Sequence, residues 1–124
     1  MMEFNRIYLD ERGEINSITG LNQYEELAIF TTKKGNARGG CVHNINDEYC
    51  VVIEGVITFY LDGVAFNMTA GQSIKIERGS PHYYIAVTDS VVIEWGATAE
   101  EKKNKHTETR KLVEMINNEI HKSD

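Results

Sequence analysis

A chain of 124 residues makes one domain and is long enough to bury a hydrophobic core without disulfide or metal staples. Its apolar content of 41% is that of a globular protein. The formal net charge of −6 argues against nucleic acid or an anionic membrane surface as a partner, though an acidic protein can still carry a locally basic site for a small anion.

Residues 3–9, EFNRIYL, suit a short strand or arm, and Asp10-Glu11-Arg12-Gly13 a turn. Glu14 to Ile18 is a second strand, closed by Thr19-Gly20-Leu21-Asn22. Glu26 to Thr32 is apolar, β-branched and aromatic, as strands are, and Lys33-Lys34-Gly35-Asn36 closes it, with Lys33-Lys34 expected in solvent. Gly39-Gly40 permits a bulge or a close backbone approach just before Cys41. Tyr49 to Glu54 and Val56 to Leu61 flank Gly55, and Asp62-Gly63 is a hairpin signal ahead of Val64 to Met68. Ser73 to Glu77, His82 to Val87 and Val91 to Trp95 follow, each bounded by turn residues. Short strands at this spacing, with glycine-rich turns, predict an all-β sandwich or barrel over residues 1–97.

After Trp95 the pattern changes, and residues 98–124 read as a C-terminal helical extension. Thr98 followed by Glu101 fits a capping box. Leu112, Val113, Ile116 and Ile120 share one face of an amphipathic helix, with Met115 beside it. That face suits the chain's own barrel first and a dimer contact second. His106 and His121, in the same tail, are expected in solvent.

No signal peptide and no apolar run near the ~18 residues of a membrane helix is present, so a cytoplasmic protein is expected, with Cys41 and Cys50 reduced.

The chemistry-bearing residues concentrate between Gly35 and Gly55. Cys41 and His43 are two apart, so on a strand they point to one face; Glu48 follows the polar break NIND and heads the next strand. Thiol, imidazole and carboxylate turned toward one interior can hold a metal or move a proton. On the strand after Pro81, an inward His82 makes Tyr84 and Ala86 inward too, and Tyr84 a candidate proton donor. Glu94 lies between Ile93 and Trp95, and parity alone leaves it either in the interior or in solvent.

These spacings resemble those of the cupin superfamily. Its first motif, a glycine, five residues, H-x-H, three or four residues, Glu, six residues and a glycine, is matched by Gly35, Cys41-Val42-His43, Glu48 and Gly55, with Cys41 in place of the first His. Its second motif is matched by Gly71, Gly79 and His82, with Glu77 for the usual Pro and Ala86 for the usual Asn. The resemblance implies a double-stranded β-helix, or jelly-roll, barrel with a ligand site inside. It also implies a divalent metal (zinc, iron, manganese or nickel) among Cys41, His43, Glu48 and His82. A thiol at position 41 would be a ligand, an acid–base group or core filling.

A narrower resemblance rests on Asp10-Glu11-Arg12-Gly13 and on FTTKKGNARGGCVH. Both are similar to stretches of small cupins acting on nucleotide-linked sugars: ketoisomerases, 4-dehydrorhamnose 3,5-epimerases and the cupin domain of capsular-polysaccharide epimerases. It implies an isomerase or epimerase of polysaccharide biosynthesis, a homodimer, Arg38 as a substrate or phosphate contact, and His43 with Tyr84 as catalytic residues. The alternatives are a metal-dependent cupin of another class, such as a dioxygenase or a lyase on a small organic acid, and a cupin that binds a ligand without turnover.

Overall fold

Ten strands and one helix form among residues 2–20, 26–97, 100 and 103–121, which this computed structural model describes. They are β1 (Glu3–Asp10), β2 (Gly13–Thr19), β3 (Leu27–Thr32), β4 (Ala37–Cys41), β5 (Glu48–Glu54), β6 (Val56–Leu61), β7 (Val64–Thr69), β8 (Ser73–Ile76), β9 (His82–Ala86), β10 (Ser90–Trp95) and α1 (Thr107–His121). A six-stranded sheet runs β1-β2-β3-β10-β5-β8 and a four-stranded sheet runs β4-β9-β6-β7, every pairing antiparallel. Two facing antiparallel sheets with one C-terminal helix form the expected all-β jelly roll.

The period of two decides what faces the interior. On β5 the buried column is Glu48, Cys50 and Val52; on β9 it is His82, Tyr84 and Ala86; on β10 it is Ser90, Val92 and Glu94. Cys50, Val52, Tyr84 and Val92 join Ile57, Phe59, Met68 and Ile76 in one apolar core. Burying each aliphatic side chain there contributes roughly 1.5–3 kcal/mol before conformational entropy is counted. On these three strands the same parity that buries the apolar residues also carries Glu48, His82, Ser90 and Glu94 inside.

The C-terminal segment covers the free edge of β4. An uncovered edge would leave a row of unpaired amides and carbonyls. Asn104 bonds Val42 twice, its carbonyl accepting from the Val42 amide and its side-chain amide donating to the Val42 carbonyl, both at 3.1 Å. The His106 amide donates to the Gly40 carbonyl (2.9 Å), Lys105 bridges to Cys41, and Arg110 Nη1 donates to the Gly39 carbonyl (2.9 Å). Asn117 then accepts from the Ala37 amide at 2.7 Å and donates to the Ala37 carbonyl at 3.1 Å. α1 packs on β4 through Val113, which is fully buried, with Ile116 half-buried, whereas Leu112, Met115 and Ile120 of the expected apolar face are exposed.

Gly39 and Gly40 permit that approach. Both have φ in the left-handed range, +121° and +92°. A Cβ on Gly40 would lie 2.9 Å from the Arg110 Cα, and the β4–β9 register shifts between Gly39 and Cys41. This is the close approach and bulge expected from the sequence.

Three expectations change. β4 ends at Cys41, so His43 stands in the loop beyond it and the strand parity expected to align Cys41 with His43 does not operate. The helix begins at Thr107; Thr98 and Glu101, the expected capping box, lie outside the described residues, as do Leu21 and Asn22 of an expected turn. His106 is half-buried rather than free in solvent, because it caps α1: its Nδ1 pairs with the Thr109 hydroxyl at 2.7 Å, and its carbonyl accepts from the Arg110 amide at 2.8 Å.

Candidate metal centre and cavity

Glu48 is the pivot of the interior polar group. Its Oε1 lies 3.2 Å from His43 Nε2 and 3.5 Å from His82 Nε2. All three side chains are buried, Glu48 completely. The first residue of β5, the first of β9 and the loop after β4 thus deliver a carboxylate and two imidazoles to one point. One ligand atom from each lies within 4.8 Å of the others.

Hydrogen bonding orients the rings. His82 Nδ1 donates to the Ser80 carbonyl at 3.0 Å, so in the neutral ring Nε2 turns its lone pair toward Glu48. His43 Nδ1 is buried without a hydrogen-bond partner among the described residues. Burial alone would lower the pKa of His82, but the Glu48 hydrogen bond, the Glu94 charge and the Ser80 carbonyl outweigh it and raise the pKa above the ordinary value. A carboxylate sealed between two imidazoles needs a compensating positive charge. Two nitrogens and one carboxylate oxygen form a donor set for divalent first-row metals, so the residues fit an ion.

Cys41 stands outside that set. Lys105 Nζ approaches its sulfur at 3.8 Å. Burial raises the thiol pKa; Lys105 opposes this, while Glu94 and Glu48 add to it. Cys50, buried in the core, is pushed up much further by burial and the same two carboxylates, and neither cysteine is bridged.

His43 and His82 look into a cavity of about 410 Å³. Arg38 and Tyr84 form another part of its wall. Arg38 is 2% exposed; its Nε donates to Thr32 Oγ1 (3.2 Å), its Nη2 donates to the Thr31 carbonyl (3.1 Å), and its Nη1 is buried without a partner among the described residues. Tyr84 OH lies 2.9 Å from the same Thr32 hydroxyl. Burial raises the phenol pKa far above normal, with Thr32 and Arg38 pulling back, so Tyr84 stays protonated.

Five side chains of the cavity wall were not placed there by the sequence. Glu94 proves to be interior and lines the cavity, a matter parity left open. Lys103, Lys105 and Arg110 also line it, from a stretch whose charges carried no local sign of facing a cavity. Arg12, from the turn, is there too, held by Asp10 through Nε (3.0 Å) and Nη2 (2.8 Å).

Comparison with known proteins agrees with this architecture. The cupin domain family model matches residues 28–97. Among solved structures the chain is similar to KdgF from Halomonas sp. (15% identity, 76% of this chain and 86% of that one, TM-score 0.67). It is similar also to an RmlC-like cupin from Shewanella frigidimarina (21%, 83% and 89%, 0.65). The capsular polysaccharide assembling protein CapF from Staphylococcus aureus is a third (18%, 79% of this chain and 31% of that one, 0.65). At these identities the likeness shows the fold. No curated protein matches the chain in sequence.

Proposed function

The chain belongs to the cupin domain family, and from that premise we propose that it is an isomerase or epimerase acting on a nucleotide-linked or related keto-sugar, with a divalent metal in the barrel. The observation that carries this reading is Glu48 Oε1 within 3.5 Å of both imidazole Nε2 atoms, beside a cavity whose wall also holds Arg38 and Tyr84. The fold likeness to a capsular polysaccharide assembling protein supports the sugar class.

His43, Glu48 and His82 would hold the ion. The chemistry such an ion would supply is polarisation of a keto oxygen, which would acidify the neighbouring C–H. Thr32 Oγ1 accepts from Arg38 and can donate its own proton to the Tyr84 oxygen, an arrangement that leaves the phenol proton for a ligand oxygen in the cavity. Tyr84 is thus assigned as the proton donor. His43 serves as the base only when no metal engages its lone pair. In the loaded protein we assign proton removal to Glu94, a carboxylate on the cavity wall.

The test is solvent deuterium wash-in at the carbon beside the keto group of a nucleotide-linked keto-sugar, with the metal content measured in the same preparation. Incorporation in the presence of a stoichiometric metal is expected. A protein that exchanges no deuterium and gains no thermal stability from a nucleotide-sugar panel at about millimolar concentration overturns the reading.

A second reading has its own observation: two histidines and one carboxylate are also the donor set of non-haem iron oxygenases. Iron content with oxygen-dependent turnover of a small organic acid would select it.

A homodimer is proposed as well. Every residue of β1 is exposed, including Phe4, Ile7, Tyr8 and Leu9, on an edge strand paired only with β2. A dimer in light scattering that Tyr8→Lys dissociates is expected, and a monomeric wild type would remove the assignment. No helix among the described residues is long and apolar enough to cross a membrane.

A further inference from the structure

The family match ends at Ala97, yet part of the cavity wall comes from beyond it. Residues 103–110 lie across β4 as a strap, fixed by the hydrogen bonds of Asn104, His106 and Arg110 to Val42, Gly40 and Gly39. From this strap Lys103, Lys105 and Arg110 face the cavity, joining Arg12 and Arg38 from the barrel. Five cationic side chains thus line a cavity whose wall carries two carboxylates, Glu26 and Glu94, in a chain of net charge −6.

The cations are not equally engaged. Asp10 pairs with Arg12, Glu100 with Lys103 at 3.1 Å, and Glu114 with Arg110 at 3.4 Å. Among the described residues, neither Arg38 nor Lys105 has a carboxylate at ion-pair distance, and Arg38 keeps a buried donor, Nη1, unused. A buried, unspent guanidinium donor is costly unless a ligand takes it. An oxyanion supplies the missing charge and the missing acceptor together.

We infer that the strap extends the Arg38 contact, which the family resemblance already implies, into a binding subsite for an oxyanion group of the ligand, a phosphate or a carboxylate, and that Lys103 and Lys105 select anionic over neutral sugars. The inference rests on the sugar reading above for the rest of the ligand, but not on a reaction. The strap supplies the long-range attraction and Arg38 the directional contact at the wall. The main-chain bonds of Asn104 to Val42 and of His106 to Gly40 seat the strap, so replacing its two lysines removes only the Lys103–Glu100 and Lys105–Cys41 side-chain contacts.

The experiment titrates uridine diphosphate, glucuronate and glucose against metal-free full-length protein and against the Lys103→Gln/Lys105→Gln variant, by calorimetry. Wild type is expected to bind at least one anion and not glucose, with affinity falling as salt is raised from about 50 to 300 mM. The variant is expected to lose about tenfold in affinity for that anion and to become less salt-sensitive. Preference for uridine diphosphate marks a phosphate subsite, and preference for glucuronate a carboxylate subsite. Arg38→Lys, which keeps the charge but not the fork, gives the second readout: weaker anion binding with the salt slope retained. Equal anion affinity in wild type and the lysine variant overturns the inference, as does a wild type that binds neither anion at about 10 mM. Metal content and deuterium wash-in decide the isomerase reading separately. Their failure beside strap-dependent anion binding sinks that reading alone.

Discussion

The side-chain amide of Asn117 occupies both main-chain groups of Ala37, accepting from the amide at 2.7 Å and donating to the carbonyl at 3.1 Å. A residue eighty positions away in the chain thereby acts as a strand partner for the edge of β4. Replacing it with Ala leaves a buried amide and carbonyl unmatched, which costs about 1–3 kcal/mol. Asn117→Ala is expected to melt roughly 3–10 °C below wild type. An unchanged melting temperature would mean that water replaces the pair without cost.

Gly40 makes a second prediction about the same contact. Its φ of +92° and the 2.9 Å clearance to the Arg110 Cα leave no room for a methyl group. Gly40→Ala is expected to destabilise by about 1–3 kcal/mol in thermal denaturation. It is also expected to increase amide hydrogen exchange at Val42 and His106, whose N–H groups bond across this seam.

The buried cluster predicts metal affinity. Glu48→Gln and His82→Ala are each expected to weaken divalent-metal binding by more than about tenfold in a competition titration with a chelating dye. Cys41→Ala is expected to match wild type, because its sulfur lies outside the group formed by His43, Glu48 and His82. A Cys41→Ala protein that loses its metal would place the thiol in the coordination sphere.

The Asp10–Arg12 pair predicts a pH dependence. Burial alone would raise the Asp10 carboxyl, but the Arg12 side chain and amide, with Arg38 nearby, outweigh it and hold the pKa below the ordinary 3.8. A depressed folded value stabilises above the unfolded pKa, and the contribution disappears as pH falls through the folded one. Asp10→Asn is therefore expected to melt about 1–4 °C lower than wild type at pH 7, a small effect because the pair is partly exposed. The difference should shrink as pH drops below 3.8. A gap that widens in acid would reverse the sign and remove the pair from the explanation.

Tyr84→Phe separates structure from chemistry. Loss of the hydrogen bond to Thr32 is expected to cost about 0.5–1.5 kcal/mol, within reach of an intact fold. If the phenol donates the proton, deuterium wash-in should fall by about 10²–10⁴ while metal content stays unchanged. Wash-in at the wild-type rate would return Tyr84 to a purely structural place in the core.

The sequence by itself determined the barrel, because strand alternation and turn chemistry are local. Glu48-Tyr49-Cys50-Val51-Val52 states in its own order that Glu48 shares a face with Cys50 and Val52, and His82 is linked to Tyr84 and Ala86 by the same parity. Parity is silent on where a strand stops. Only the tertiary structure ended β4 at Cys41, set His43 in the loop and turned the thiol to Lys105, separating two residues whose spacing suggested one face. It alone decided that Glu94 faces the cavity and that Lys103, Lys105 and Arg110 complete the wall. The physical reason is that these placements depend on sheet register and on a free strand edge demanding partners. Both are satisfied by residues far apart in the chain, which no local pattern encodes.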